Sequence, residues 1–431
     1  MRVLTIVKDF DIGGTQRVAQ NLTLGVQRAG IDVAVLGYDR RGSRERFYQE
    51  HEVPVFGPDE GRSSDYINEA LRWQPDIVHI HRTGYPNHFE TNLLREFRSH
   101  GTQIVETNVF ARYDQTEARN LIDVHCLLSR WCWMKWTMWR SNRDQSAATI
   151  LPNAVDVSRF EPLGERERQA LRTALGVPSS RFLFGRIGQP LSPKWSPKIF
   201  PAFSEALARG GDLGLLLVGA PIEYKRLVAD LDQSIRGRIV MVDAVDDDAR
   251  LSGFYSAMDA FLHLAEIGES FGMVLCEALL CGTPIITLST PLRDNSQLEV
   301  VGHERGGLVA RDLEGVVDAM VRVQEDQALR LRVRNEAPTW VASRFAVDVV
   351  ASSAIHIYEA LMAAADKADL QRRLNAAGEG PPDLAWLNAI QLDGLGAAPT
   401  AFQKVLFRLL HMPQFYSAYQ LIKTGLAGVR R

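Results

Sequence analysis

The chain has 431 residues, 46% hydrophobic and 23% charged, close to the soluble globular average, so two or three domains with sizeable cores are expected and a disordered or collagen-like chain is excluded. Lys and Arg number 49 against 52 Asp and Glu, a net charge of −3, which offers no sequence-independent grip on nucleic acid. The four cysteines, at 126, 132, 276 and 281, are too widely spaced for a CxxC zinc pair and too few for a disulfide scaffold, which suits a reducing cytoplasm.

The opening MRVLTIVKDFDIGG has an apolar run too short for a secretory signal, and no stretch approaches the roughly 18–20 apolar residues of a membrane span, so neither secretion by that route nor a transmembrane segment is expected. Val3 to Val7 reads as a strand, followed by a helix through Val18, Leu22 and Val26 that ends at Gly30, and by a second strand from Ile31 to Leu36. Further strands are predicted at Ile77 to Ile80, Ile104 to Thr107 and Cys126 to Leu128. Apolar strands alternating with helical segments imply a parallel sheet covered on both faces. Residues 1–160 therefore read as one Rossmann-like domain.

Around 149–180 the pattern gives way to TILPNAVDVSRFEPLG, a charged helix from Glu165 to Ala174, and Gly176-Val177-Pro178, the composition of a connector. The alternation then restarts, with strands at Phe182 to Ile187, Leu215 to Val218, Ile239 to Val242, Phe261 to Leu264 and Ile285 to Leu288. Helices are predicted at Ile199 to Leu207, Ile222 to Leu231, Arg250 to Met258 and Phe271 to Leu280. Residues 175–340 are expected to form a second Rossmann-like domain. After Pro338 one long helix is predicted from Trp340 to Ala365, its part 345–365 returning to the first domain. GEGPP at 378–382 marks a linker to a helical appendix over 380–431. Its segment 401–431 carries Lys404, Arg408, Lys423, Arg430 and Arg431 and no acidic residue, while Phe402, Val405, Leu406, Leu409 and Leu410 share one helical face.

The strongest chemical signal is GESFGMVLCEALLCGTPI at 268–285, where Glu269 and Glu277 flank a strand-to-helix junction. Gly268 and Gly272 permit close backbone approach, and the free amides of Phe271, Gly272 and Met273 at a helix start make a site for phosphate. A carboxylate beside that site accepts hydrogen bonds from ribose or sugar hydroxyls. The plain alternative is a solvated amphipathic helix with two incidental glutamates. Arg186 and Lys194 are expected in a loop after the strand Phe182 to Ile187, where both cations reach the same strand end; the alternative is surface solvation. Gly13 and Gly14, after the first strand, suit either close passage of a ligand or a helix entry loop.

Other residues read more blandly. His79 and His81 alternate on one strand and share a face, which favours core or supporting roles over metal ligation. Asp246, Asp247 and Asp248 are adjacent loop acids that cannot all converge on an ion, and Asp248 suits the N-cap of the following helix, so no metal is expected. In RWCWMKWTMWR at 130–140, Trp131, Met134 and Met138 face one side of a helix and Trp133 and Trp136 another. Core packing plus an interdomain or acceptor-facing surface is the first reading there, and membrane contact, aided by Arg130, Lys135 and Arg140, the second. The basic segment 401–431 suits either docking on the protein or an anionic leaflet.

Taken in order, Gly13-Gly14, DIVHIH at 76–81, LPNAVDVSRF at 151–160, GRIGQPLSPKW at 185–195, the two-glutamate block and GTPIIT at 282–287 resemble the retaining, nucleotide-sugar-dependent glycosyltransferases of family 4, over roughly residues 1–365. The resemblance implies the GT-B fold, α/β with two Rossmann-like domains facing across a cleft. It implies that Arg186 and Lys194 bind the leaving diphosphate, that Glu269 holds the donor sugar and Glu277 the ribose, and that Gly13 and Gly14 lie over the donor phosphates. Many relatives place a histidine where this chain reads Val105-Glu106-Thr107-Asn108, which leaves Asn108 to contact the donor sugar. Glu299, in RDNSQLEVVG at 293–302, falls where relatives carry a glycine-rich stretch and a glutamate; its alternative is a plain N-capped helix start.

The implied reaction is transfer of a sugar from a nucleoside-diphosphate-sugar to a hydroxyl with retention, by front-face attack and without metal or other cofactor. The implied partners are the nucleotide-sugar donor and a glycan or lipid-linked acceptor, with no nucleic acid. The implied setting is cell-surface polysaccharide or glycolipid synthesis in the cytoplasm or on the cytoplasmic face of the membrane, with 130–140 and 401–431 as the candidate peripheral contacts. A non-catalytic GT-B-like scaffold at a membrane surface is the competing reading. A nicotinamide oxidoreductase is disfavoured because no GxGxxG follows the first strand.

Overall fold

The computed structural model describes residues 1–11, 13–58, 65–140, 146–265, 267–290 and 293–376, with Val405 and Leu409. The described chain forms two compact units, one made of residues 1–154 and 347–376, the other of Val155–Ala346. The basic appendix expected over 380–431 lies outside the described residues apart from Val405 and Leu409.

The first unit holds seven strands, β1 (Arg2–Asp9), β2 (Asp32–Arg40), β3 (Val55–Phe56), β4 (Ile77–Arg82), β5 (Gln103–Asn108), β6 (Val124–Leu127) and β7 (Ala147–Ile150), in the spatial order β3-β2-β1-β4-β5-β6-β7. Every pairing is parallel. Successive side chains leave a strand on opposite faces, and here both faces are buried. Val3 and Val7 join Leu22, Val26, Val105, Val350 and Ile357 in one core, while Leu4 and Ile6 join Val78, Ile80, Leu94 and Phe97 in the other. This double burial is why the strands read as continuous apolar runs. A Cβ on Gly25 of the helix Gly14–Arg28 would lie 2.6 Å from Val347, so that glycine lets the helix Val347–Ala363 pack against it.

The single helix expected from Trp340 to Ala365 is two, Gln327–Phe345 and Val347–Ala363, separated by Ala346 in an extended conformation. Pro338 lies inside the first of them, where the missing N–H removes one hydrogen bond without ending the helix. The break falls where the chain leaves the second unit for the first.

The second unit holds β8 (Phe182–Ile187), β9 (Leu213–Val218), β10 (Ile239–Val242), β11 (Ala260–His263), β12 (Ile285–Leu288) and β13 (Gly307–Ala310), in the order β10-β9-β8-β11-β12-β13. The strand order reverses between β8 and β11, which pair in parallel through Ala260 with Phe184 and Phe261 with Gly185. In open α/β sheets the crevice outside the carboxyl ends of the strands at such a switch point is where ligands bind. Among the described residues no helix is long and apolar enough to cross a membrane.

Candidate active site

Just beyond β11 the chain turns twice with left-handed glycines. Gly268 has φ +67 and Gly272 φ +92. A Cβ on Gly268 would lie 1.7 Å from the carbonyl oxygen of Asp294, so glycine is sterically required there. Gly272 caps the helix Met273–Leu280, whose first amides receive no side-chain cap. Between the two glycines Glu269 is fixed by its backbone: its N–H donates to Gln297 Oε1 at 3.1 Å and its carbonyl accepts from the Ser296 N–H at 2.9 Å. Gln297 is itself anchored, donating to the Leu288 carbonyl at 3.0 Å and to Thr290 Oγ1 at 2.8 Å.

The Glu269 carboxylate accepts from His263 Nε2 at 3.1 Å, and its side chain is 14% exposed against 1% for His263. Burial pushes the Glu269 carboxyl up, but the His263 hydrogen bond and the charges of Lys194 and Arg186 outweigh it and hold it below its ordinary range. Glu269 is thus a carboxylate. Burial and then Arg186 push His263 down, against a smaller upward pull from Glu269, so the imidazole is neutral.

Arg186 is not in a loop, as expected, but on β8, and it is buried. Its guanidinium lies against the rings of Trp195 and Phe261, at 5.2 and 5.5 Å from their centroids, and donates to the carbonyls of Ile187 and Lys194 at 2.5 and 2.9 Å. The second bond ties the Gly188–Lys194 stretch back onto the sheet end, assisted by Trp195 Nε1, which donates to the Gln189 carbonyl at 2.8 Å. Lys194 closes a 3₁₀ turn, Ser192–Lys194, and is only partly buried. Of the two expected cations, Lys194 is the accessible one, and Arg186 supplies a fixed positive field beneath it.

Glu277 is buried in the second turn of the helix and accepts from the Tyr255 hydroxyl at 3.0 Å. Burial, then the Glu277 charge, raises Tyr255 well above its ordinary range, so the phenol remains a donor. Phe271 packs edge-on against Phe345 at 5.1 Å, seating the helix start. Arg186, Lys194, Glu269 and Glu277 therefore gather with the amides of Phe271, Gly272 and Met273 in the second unit. His263 and Tyr255 complete this group and were not anticipated; the available signal was a histidine at the end of a predicted strand, six residues before Glu269.

The remaining candidates lie elsewhere. Asn108 ends β5, buried, and its amide holds a turn, donating to the Arg112 carbonyl at 2.8 Å and accepting from the Arg112 N–H at 3.1 Å. Each end of the amide thus carries one bond to that turn. Glu299 lies in the helix Gln297–Val301, and Asn295 accepts from the Thr290 N–H at 2.8 Å instead of capping that helix. Gly13 is the extended N-cap of the helix Gly14–Arg28, and a Cβ on Gly14 would meet no atom within 4 Å. Asp247, not Asp248, caps the helix Asp248–Ala257, accepting from the Arg250 N–H at 2.7 Å, and Asp248 pairs with Arg159 at 3.0 Å.

His79 and His81 stack at 4.9 Å, with His79 bonded to Tyr358 Oη and Thr107 Oγ1 at 2.6 and 2.7 Å, as core residues do. In the helix Arg130–Trp139, Trp131, Met134 and Trp136 are all buried, and Trp136 packs on Tyr113 and His125 at 5.5 and 5.1 Å. These three side chains lie in the interior, which removes them from the membrane contact considered for 130–140. An unforeseen cluster also fills the first unit: Arg82, fully buried, pairs with Glu90 at 2.8 Å, Glu106 at 3.4 Å and Asp114 at 2.8 Å.

Comparison with known proteins decides the family of the segment that builds this site. Residues 182–326 match the family Glycosyl transferases group 1. This segment is a group 1 glycosyl transferase domain. The chain is 28% identical over 235 residues to a D-inositol 3-phosphate glycosyltransferase of Corynebacterium jeikeium (strain K411), covering 52% of this chain and 54% of that protein. It is 27% identical over 315 residues to a phosphatidyl-myo-inositol mannosyltransferase of Mycolicibacterium smegmatis, covering 70% and 75%. The match thus spans about half the length of the first relative and three quarters of the second. Among solved structures, Anabaena HepE in complex with UDP and glucose superposes with a TM-score of 0.64 at 17% identity, covering 83% of this chain and 99% of that one. WaaG, a glycosyltransferase involved in lipopolysaccharide biosynthesis, does so with 0.56 at 16%, covering 82% and 98%. The two parallel-sheet units, the second of which contains the matched segment, are those of the GT-B fold.

Proposed function

We propose that this chain is a retaining family 4 glycosyltransferase that moves a sugar from a nucleoside-diphosphate-sugar to a hydroxyl of a glycan or lipid-linked acceptor. The observation that carries this reading is the convergence of Lys194, Arg186, Glu269 and an uncapped helix start at the switch point of the second sheet. The inositol phosphate, phosphatidylinositol and lipopolysaccharide named for the relatives and neighbours support an acceptor of the glycolipid or polysaccharide kind. Four free, buried thiols support a cytoplasmic location.

The chemistry needs negative charge stabilised on the departing diphosphate. Lys194, the Arg186 field and the amides of residues 271–273 provide it without a metal ion. The bond from the anomeric carbon to the diphosphate oxygen breaks while a bond from the acceptor oxygen forms on the same face, and the acceptor proton passes to the departing phosphate oxygen. Glu269, ionised, accepts hydrogen bonds from the donor sugar and favours the positive charge that develops at its anomeric carbon. Glu277 receives the ribose hydroxyls. Lys194→Ala is expected to lower turnover by roughly 10²–10³-fold, as for loss of one preorganised charge stabiliser. Nucleoside diphosphate release from UDP-glucose, GDP-mannose and ADP-glucose measures it. Turnover near that of wild type in the variant would remove Lys194 from the phosphate role.

A further inference from the structure

Glu269 reaches its place through more partners than a sugar contact alone requires. Its backbone is clamped on both sides by the Ser296 and Gln297 segment, and one carboxylate oxygen is tied to an imidazole at the carboxyl end of β11. We propose that His263 is the positioning residue for Glu269, its Nε2–H holding Oε1 so that the ionised carboxylate faces the crevice at the ends of β8 and β11 with Oε2 left for a donor-sugar hydroxyl. The inference rests on the reading of Glu269 as the donor-sugar carboxylate.

Several observations carry it. A carboxylate only accepts, so Nε2 bears the proton and the tautomer is fixed by the bond itself. Nδ1 is then a buried lone pair with no partner among the described residues, an arrangement that packing alone would not favour over an apolar side chain. Oε2 takes no hydrogen bond from any described residue. Arg186 and Lys194 also act on Glu269, and a direct ion pair with either would draw the carboxylate onto the cations that the diphosphate needs. A neutral donor at 3.1 Å aims the group without cancelling its charge. Ser296 and Gln297 complete the same support from the backbone side.

The test uses the full chain, with UDP-glucose, GDP-mannose and ADP-glucose as donors and the matching diphosphates as ligands. Slow release of the diphosphate to water is the activity readout, so no acceptor is needed. His263→Leu is expected to lower kcat/KM for release by about 10–10²-fold, as for a reacting group misplaced by about an ångström. Its affinity for the diphosphate alone should stay within about twofold of wild type, because Glu269 addresses the sugar and not the nucleotide. His263→Gln, whose amide N–H reaches the same oxygen, should recover most of the loss. In a Glu269→Gln background, His263→Leu should cost little more, since the two residues act as one.

If His263→Leu does not fold, His263→Asn, whose amide nitrogen falls at the Nδ1 position short of Glu269, makes the same contrast with His263→Gln. Wild-type rates in His263→Leu, an equal loss of diphosphate affinity, additive losses with Glu269→Gln, or no recovery in His263→Gln each overturn the positioning role while leaving the transferase reading standing. A wild-type chain that binds none of the diphosphates and releases none from the donors overturns that reading, and the inference with it.

Discussion

In the first unit the strand beside β1 ends in Arg82, whose guanidinium is enclosed by Glu90, Glu106 and Asp114 with all four side chains no more than 6% exposed. In the second unit the strand beside β8 ends in His263, and there Glu269 keeps 14% exposure and one oxygen without a hydrogen bond among the described residues, while Lys194 is only partly buried. The two strands hold the same position in their sheets, so topology alone does not decide what a charged strand end does. Closure does. The first cluster holds its own countercharges and is fixed by them; the second has its carboxylate steadied by a neutral group, with the charges of Lys194 and Arg186 acting on it from outside any ion pair.

The contrast is broken most severely by Arg82→Ala. Removing the guanidinium leaves three buried carboxylates without their cation, and a loss of about 3–5 kcal/mol is expected. Urea unfolding of the full chain measures it, with Lys194→Ala as the control expected to stay within about 0.5 kcal/mol of wild type. A small loss in Arg82→Ala would mean that the cluster is not closed in solution.

Gly268→Ala tests the second cluster through its backbone. The left-handed φ and the 1.7 Å approach to the Asp294 carbonyl both oppose a Cβ, so the Glu269 segment has to shift. A loss of about 2–3 kcal/mol is expected, together with a fall in donor turnover. Full activity in this variant would show that the two-glycine turn does not set the position of Glu269.

Acid sharpens the contrast from the side of the first unit. Burial holds His79 well below its ordinary range and puts His81 at about 3, so both are neutral in the fold. The unfolded chain takes up their protons near pH 6.5, so this stability is complete above that pH and falls below it, by about 1.4 kcal/mol per pH unit for each histidine. His81→Phe should reduce the acid slope between pH 6 and 5 by one such contribution. An unchanged slope in denaturant titrations would contradict the buried neutral assignment.

Much of this is legible in the sequence. Two parallel sheets follow from apolar runs alternating with helices, and the turn around Glu269 from glycines at 268 and 272. The short strands β3, β7 and β13 escaped notice, because two to four residues in a connector-like context carry too little periodicity. A charged side chain near a strand end suggests solvent, which is why the sequence points to a loop for Arg186; its burial depends on Trp195 and Phe261, which come from other segments. His263 gave no facing signal, since a strand buried on both sides has no alternation to break. The Arg82 cluster joins residues 8, 24 and 32 positions apart, which meet only once β4 and β5 pair.

The central claim is that the cluster in the second unit is open to a nucleotide-sugar. The most direct measurement is a thermal-shift series of UDP, GDP, ADP and TDP with their sugar conjugates on wild type and Glu277→Ala, since a ligand that binds the native state raises its melting temperature. A rise with one nucleotide and its conjugate, lost in Glu277→Ala, is the predicted result. No rise with any of them, or the same rise in both proteins, would contradict the account.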